Sequence, residues 1–414
     1  MTTAPIAPTT PIAIAGGGAA GLALALALHR HGLAANIFDA APAGAGLGDK
    51  RILALSHGSA QTLDWLGVWS SLQHKAAPIT HIHVSQQGGL GRTRISAAEQ
   101  GVAALGYVCP AADLVAALLG AAQEKTIAIH HEHRVEEATA TETGVRFQAG
   151  NKEHTASLLA YAEGTVDNGP HLQQRDYDQH AITCTATLAM PHGGTAWERF
   201  TVHGPVALLP VAAGADKQTE VAVVYTCPTA NAEALQKLDD AAFLRQLNAQ
   251  FNDRLTVSAA SPRYRFPLGL RYRDSTVGLR QVWLGNAAQT LHPVAGQGYN
   301  LALRDIRDLA RTLAEAGTQE GDLGTTTVLN RYAARRRLDR RSTIGFTDSL
   351  VRLFSNDHPL LHHARGAGLL ALDLLPPLRS FVANRMMFGA RVFPCRQALP
   401  PTVPQPGLVH CHRR

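Results

Sequence analysis

The chain has 414 residues, 45% of them hydrophobic and 17% charged, which is long enough for two packed cores. Its net charge of +6 is spread along the sequence, so it suits an anionic cofactor or a lipid surface and is too diffuse to mark a nucleic-acid binder. Five cysteines (109, 184, 227, 395 and 411) are odd in number and lack paired spacing, which argues against a disulfide frame or a zinc site and for a reducing, cytoplasmic setting.

Residues 12–28 carry no charge. The preceding MTTAPIAPTTP has no positive n-region, and three consecutive glycines suit a turn better than a span, so neither a signal peptide nor a membrane helix is expected. The run reads instead as a strand at Ile12–Ala15, a helix at Ala19–Arg30 and a strand from Ala35 that ends at Asp39, a βαβ opening. Residues 79–84 alternate as a half-buried strand. A helix is expected over 111–124, and several strands over 127–161 with turns at Gly144 and Gly150–Asn151. From about 178 to 286 the pattern is strand-rich, at 180–188, 199–202, 206–210 and 221–226, with one helix over 230–249. After Gly285 helices are expected over 298–316, 325–354 and 360–374, and the Pro-rich end, 393–414, reads as frayed.

Two motifs carry chemistry. GGGAAG at 16–21 places Gly16, Gly18 and Gly21 in a G-x-G-x-x-G pattern, with Ala19 and Ala20 opening the helix. The first glycine makes the turn, the second lets backbone approach a pyrophosphate, and the third allows close helix–strand packing. The helix N-terminus adds N–H donors and partial positive charge. Asp39, 18 residues after Gly21, can accept hydrogen bonds from an adenosine ribose. The second motif is GNAAQTLHPVAGQGYNLALRD at 285–305, after an apolar strand. Its Gly-Gln-Gly turn starts an amphipathic helix whose N-terminus can face the N1–C2=O edge of a flavin and stabilise negative charge on the reduced ring. An ordinary strand–loop–helix is the alternative for this second segment taken alone.

These segments resemble the flavoprotein aromatic hydroxylases of the para-hydroxybenzoate hydroxylase type. Within them the chain is most similar to the ubiquinone-biosynthesis hydroxylases and their 2-polyprenyl-6-methoxyphenol branch. The resemblance runs over about residues 11–390 and is carried by 50–69 (KRILALSHGSAQTLDWLGVW), 198–210 (ERFTVHGPVALLP), 282–305 and 331–354. It implies an α/β fold. A Rossmann-type FAD-binding domain (11–178, returning at 282–392 with C-terminal helices) would hold an inserted, mainly β substrate domain (179–281). It implies FAD, NAD(P)H as reductant, O2, and hydroxylation of a polyprenylated phenol through a flavin C4a-hydroperoxide. By position, Arg51 would lie near the flavin or its phosphates. Gly285 and Asn286 would meet the ribityl chain or pyrophosphate, and Pro293, Gly296, Gln297, Gly298 and Asn300 would line the ring. His292, beside Pro293, is the candidate for a proton-handling group at the flavin surface.

Three departures stand out. The broad family has Asp where this chain has Asn286 and His where it has Gln289; both variants are like those of the polyprenyl-methoxyphenol branch. The family's A-D-G-x-x-S appears as AEGTVD at 162–167, so Glu163 replaces Asp and Asp167 replaces Ser. Two other readings therefore stay open: a hydroxylase of another lipophilic phenol, or a catalytically weak flavin-fold scaffold of a ubiquinone-biosynthesis complex. HHEH at 130–133 and His362–His363 are candidate metal ligands, but neighbours in a strand point to opposite faces, so 130–133 gives poor convergence, and no metal is expected. RRRLDRR at 335–341 reads as a solvated helix face or a lipid-headgroup contact. GLLALDLLPPLRSFV at 368–382 reads as a C-terminal cap or a contact with a membrane, which would make the protein peripheral to the inner membrane.

Overall fold

A computed structural model describes residues 10–89, 91–164, 171–212, 218–252, 255–354 and 359–390. Strand Thr10–Ala15 lies between two parallel neighbours, Ala35–Asp39 and Lys152–Tyr161. Ile12 and Ile14 point into one core and Ala13 and Ala15 into another, so both faces are covered, as a parallel strand requires. The sheet continues outward to Ile129–His131 on one side and to Gln281–Trp283 and Val277–Gly278 on the other. Because the chain winds both ways from Thr10–Ala15, a crevice opens at its carboxyl end, where ligands bind in such sheets. Helix Ala19–Arg30 is apolar nearly all round. Residues Gly21 to Leu28 are buried, which accounts for the uncharged run without a membrane.

The second sheet has nine strands. Its long strand Leu172–Leu188 pairs antiparallel with Glu220–Pro228 and Tyr264–Arg273. Gly204–Pro210 and Thr195–Thr201 extend it, followed by His81–Gln86 and Arg92–Ser96 from the first part of the chain. The two sheets are thus interleaved in sequence, and a boundary at residue 179 falls inside a strand. The strand at 264–273 escapes the sequence pattern because Pro267 and Gly269 interrupt it. The single helix expected over 230–249 is two, Thr229–Lys237 and Asp240–Gln250. The break is set by Asp239, whose side chain accepts from the Ala242 N–H at 2.7 Å as an N-cap. These helices cover one face of the sheet with Phe243, Leu247 and Leu235.

Four helices end the described chain: Gln297–Gln319, Thr326–Phe354, Pro359–Leu374 and Pro376–Phe388. The last was not expected as a helix; its segment read only as a C-terminal cap or a membrane contact. Pro376 and Pro377 occupy the first turn, where the missing N–H groups cost nothing. The last two helices meet at 99°. No single helix among the described residues is long and apolar enough to cross a membrane. The tail 393–414, with Cys395 and Cys411, lies outside the described residues.

Candidate functional site

The fingerprint glycines each do a different job. Gly16 has φ +105°, and a Cβ there would come within 2.9 Å of the Ala162 carbonyl oxygen. A Cβ on Gly21 would lie 1.9 Å from the Gly16 carbonyl oxygen, so this glycine lets the helix sit on the strand. Around Gly18 there is open space: a Cβ would meet nothing within 4 Å. Gly18 is the N-cap of helix Ala19–Arg30 and makes no side-chain cap, so the first turn's N–H groups face that space. Ala19 and Ala20 line the same opening, and the Asp39 carboxylate stands against Gly17 at the strand end. A pyrophosphate and a ribose fit this cradle.

The second motif approaches from the other side. Gly285 has φ +57°, and its missing Cβ leaves room for Ala20, 3.2 Å from where it would be. Asn286 donates to the Gly164 carbonyl at 3.3 Å and lines the opening. Gly296, at φ +60°, caps helix Gln297–Gln319, and Gly298 faces open space like Gly18. Pro293 also lines it. Gln297 and Asn300 do not. Gln297 is buried and donates to the Met386 carbonyl at 3.4 Å. Asn300 accepts from the Ser56 N–H at 2.8 Å and donates to the carbonyls of Ala54 and Gly296 at 2.9 and 2.7 Å. It pins the glycine turn to strand Ile52–Ser56, and both of its N–H groups are spent on those carbonyls. A Cβ on Gly296 would sit 3.0 Å from the Ala54 Cβ, so that junction is tight.

His292 likewise does not line the opening. It is 1% exposed, its ring is edge-on to Tyr177 at 5.6 Å, and its Nδ1 accepts from the Val294 N–H at 3.1 Å. Burial pulls its pKa down to about 4, so the ring is neutral and braces the loop from inside. The sequence offered no sign of this, because a histidine before Pro293 reads equally as loop surface. Arg51 lines the opening but is forked onto Asp49 at 2.6 and 3.0 Å. Burial lifts the Asp49 carboxyl, and Arg51 outweighs this and holds it below the usual range. Glu163 follows Ala162 beside Gly16 and also lines the opening; Asp167 lies outside the described residues.

The opening is one end of a cavity of about 1340 Å³ that continues to the uncovered face of the nine-stranded sheet. There its wall is mostly apolar, and helices Thr326–Phe354, Pro359–Leu374 and Pro376–Phe388 close the far side with Leu350, Phe354, Leu369, Leu372 and Met386. Phe354 stacks on Phe200 of the sheet with ring centroids 3.8 Å apart. Sequence reading did not find this wall, because its residues come from strands and helices that are far apart in the chain.

Other candidates take structural places. His130 stacks on Phe38 at 4.8 Å and His133 bonds the His131 carbonyl at 2.7 Å. Among the described residues no group of three or more His, Cys, Asp or Glu is placed to hold a metal; the His362 side chain is outside them. The 335–341 segment is no simple solvated or lipid-facing stripe. Arg336 is buried and donates to Asp305, Asp308 and Asp339 at 2.6, 3.2 and 2.5 Å. Arg340 donates to the Gln289 side-chain Oε1 at 2.8 Å, and the Gln289 Nε2 donates onward to Asp305 at 3.2 Å. An amide with both a donor and an acceptor suits Gln289, where the broad family has histidine.

Comparison with known proteins places this geometry. Residues 9–346 match the family described as FAD binding domain. Ubiquinone hydroxylase UbiL of Rhodospirillum rubrum is 30% identical over 404 residues, covering 92% of this chain and 90% of the relative. The 3-demethoxyubiquinol 3-hydroxylase of Escherichia coli is 29% identical over 386 residues, covering 88% and 95%. The fold is shared with p-nitrophenol 4-monooxygenase PnpA from Pseudomonas putida, with a TM-score of 0.69 at 17% identity over 92% of this chain and 99% of that one.

Proposed function

The chain belongs to the FAD binding domain family, and from that premise we propose that it hydroxylates the aromatic ring of a polyprenylated methoxyphenol in ubiquinone biosynthesis. It is an FAD-dependent aromatic monooxygenase, with NAD(P)H as the reductant usual for such enzymes. The observation that carries the substrate reading is the single cavity. It joins the glycine cradle to a mostly apolar chamber walled by the nine-stranded sheet and the C-terminal helices.

Bound FAD supplies the two-electron chemistry and the activation of O2. The chain supplies everything else. Backbone N–H groups at Gly18 and the first turn of Ala19–Arg30 hold the pyrophosphate, and Asp39 accepts from the ribose. Asn286 gives an uncharged amide to the ribityl side. Gly296 and Gly298 let the backbone come close to the ring. The N-terminus of Gln297–Gln319 favours negative charge beside it. Phe200, Phe354 and Leu350 exclude water from the space where a phenol ring would lie.

A prenyl tail then needs an apolar route. Helices Pro359–Leu374 and Pro376–Phe388 line the cavity with Leu369, Leu372, Val382 and Met386. On their outer side they expose Leu370, Leu374, Leu375, Leu378 and Phe381. In this reading the outer side rests in the surface of a membrane, and the tail passes between lipid and cavity.

The test is direct. Purified protein should carry flavin absorbance, release FAD on heating, and convert 2-methoxy-6-prenylphenol to a product one oxygen heavier when given NADPH or NADH and O2. Protein that takes up no added FAD, or a loaded enzyme that oxidises the reductant without oxygenating this phenol or a longer-tailed one, would overturn the reading.

A further inference from the structure

Glu198 sits in strand Thr195–Thr201, in the ERF segment, and has no place in the chemistry described so far. The register sets it in one row across the sheet: Thr93, Val84, Glu198, Ala207, Val224, Thr183. All six line the cavity. Two residues away on its own strand, on the same face, are Ala196 and Phe200. Among the described residues Glu198 is the one carboxylate that this sheet turns into the cavity, and it has no hydrogen bond or ion pair with any of them. A carboxylate in an apolar chamber is costly unless a ligand completes it. Burial alone pushes its pKa up to about 7.

Other charged groups around it are directed elsewhere. His81 and His83 pair with Thr195 and Trp197, and Arg92 and Arg94 pair with Ser85 and His83, which puts them on the opposite face. Arg199 donates to Ser85 at 3.3 Å on that face. On helix Pro359–Leu374, Asp373 accepts from the Arg94 N–H, and Arg365 donates to the carbonyls of Leu353 and Phe354 at 3.0 and 3.1 Å. On helix Thr326–Phe354, Asp348 pairs with Arg175. Tyr264 stands at the far end of the row, beyond Thr183. Lys50 and Arg51 belong to the cradle end of the cavity.

We infer that Glu198 is a catalytic residue that binds the phenolic hydroxyl of the substrate and takes its proton; this rests on the ring-hydroxylation reading above. The O–H bond breaks, its electron pair stays on the ring oxygen, and the proton moves to a Glu198 carboxylate oxygen. The electron-rich ring is then the better nucleophile toward electrophilic oxygen. One oxygen atom of O2 joins the ring carbon as the O–O bond breaks, and the proton passes from Glu198 to the other oxygen, which leaves as water and so resets the carboxylate. Its ionisation falls near neutral pH, where a general base is most effective.

The holoenzyme, Glu198→Gln and Glu198→Asp should be titrated with 2-methoxy-6-prenylphenol and with its methyl ether. Binding is read from the bound flavin's absorbance between about pH 5.5 and 8.5, a window that brackets the raised carboxyl. A phenol donates a charge-assisted hydrogen bond to an ionised carboxylate and an ether cannot. Wild type should therefore bind the phenol about tenfold more tightly as pH rises through about 7, and the ether equally well throughout. Glu198→Gln should lose that rise while still binding the ether, and its phenol turnover should fall by roughly a hundredfold. Glu198→Asp should keep the rise. The inference is overturned if phenol and ether share one pH profile in wild type, if Glu198→Gln keeps the rise, or if neither ligand perturbs the flavin. A Glu198-dependent rise without oxygenated product would overturn the hydroxylation reading and leave Glu198 as the phenol's partner. Oxygenated product without the rise overturns Glu198 alone.

Discussion

A side chain added at Gly18 and one added at Gly21 meet opposite surroundings. Gly18 faces open space, so Gly18→Val should leave the apoprotein's melting temperature nearly unchanged and abolish FAD retention on a desalting column. Gly21→Val must push the Gly16 carbonyl aside, so it should lower the melting temperature of the apoprotein itself. If Gly18→Val keeps wild-type FAD affinity, the phosphates lie elsewhere. The spacing of these glycines was legible in the sequence because each solves a backbone problem that only glycine solves. The role of His292 was not, because burial is a property of the assembled loop. Its lowered pKa has a defined consequence. The unfolded chain binds a proton near pH 6.5 and the folded one only near pH 4, so the stabilising contribution is full above 6.5 and lost as pH falls towards 4. At 1.36 kcal/mol per pKa unit this is about 3 kcal/mol. His292→Asn keeps an acceptor for the Val294 N–H and removes the titration. Urea unfolding at pH 7, 5.5 and 4 should show a shallower acid loss in the variant; equal slopes would mean that the ring is hydrated and charged.

Between elements, a buried cluster of charged side chains joins helices Gln297–Gln319 and Thr326–Phe354. Arg336 is surrounded by Asp305, Asp308 and Asp339, and Asp339 also accepts from Arg304 at 2.8 Å. Burial pushes the Asp339 carboxyl up, but Arg304 and Arg336 outweigh it and hold its pKa at about 2. Removing one partner from such a set strands buried charge, so Arg336→Ala should cost about 3–5 kcal/mol. Replacing the set with apolar residues of matched volume should cost far less. Denaturant unfolding distinguishes the cases, and a loss under about 1 kcal/mol for Arg336→Ala, the range of surface pairs, would show that the site is wet. Both helices were legible from their periodicity. Their contact was not: Arg336, Asp339 and Arg340 look like a solvated face until Asp305 and Asp308 are set against them. The complementary i, i+3 acids at 305 and 308 were the signal available, and nothing in one sequence links positions that far apart.

At the level of the whole molecule, the parallel sheet and its crevice followed from the first forty residues, while the interleaving of the two sheets did not, because strand partners from before and after residue 179 share no local pattern. The exposed apolar side of the last two helices gives a whole-molecule prediction. Leu374 and Phe381 are 66% and 68% exposed, and the most basic segment, 335–341, has Arg336 and Arg340 buried. Attachment to liposomes should therefore depend on apolar insertion more than on charge. Leu374→Asp with Phe381→Asp should abolish flotation, and raising salt should weaken wild type only modestly. Flotation unchanged in the double variant would assign those helices to another role. Helix Thr326–Phe354 ties these levels together. Its first half holds Gln289 and Asp305, next to the glycine turn, through Arg336 and Arg340; its second half forms the chamber wall with Leu350 and Phe354. One continuous helix of 29 residues cannot be reshaped at one end in isolation from the other. Occupancy of the chamber by a lipid tail and retention of the dinucleotide are then thermodynamically linked. By whatever factor an occupying tail raises the affinity for the dinucleotide, the dinucleotide must raise the affinity for the tail by the same factor.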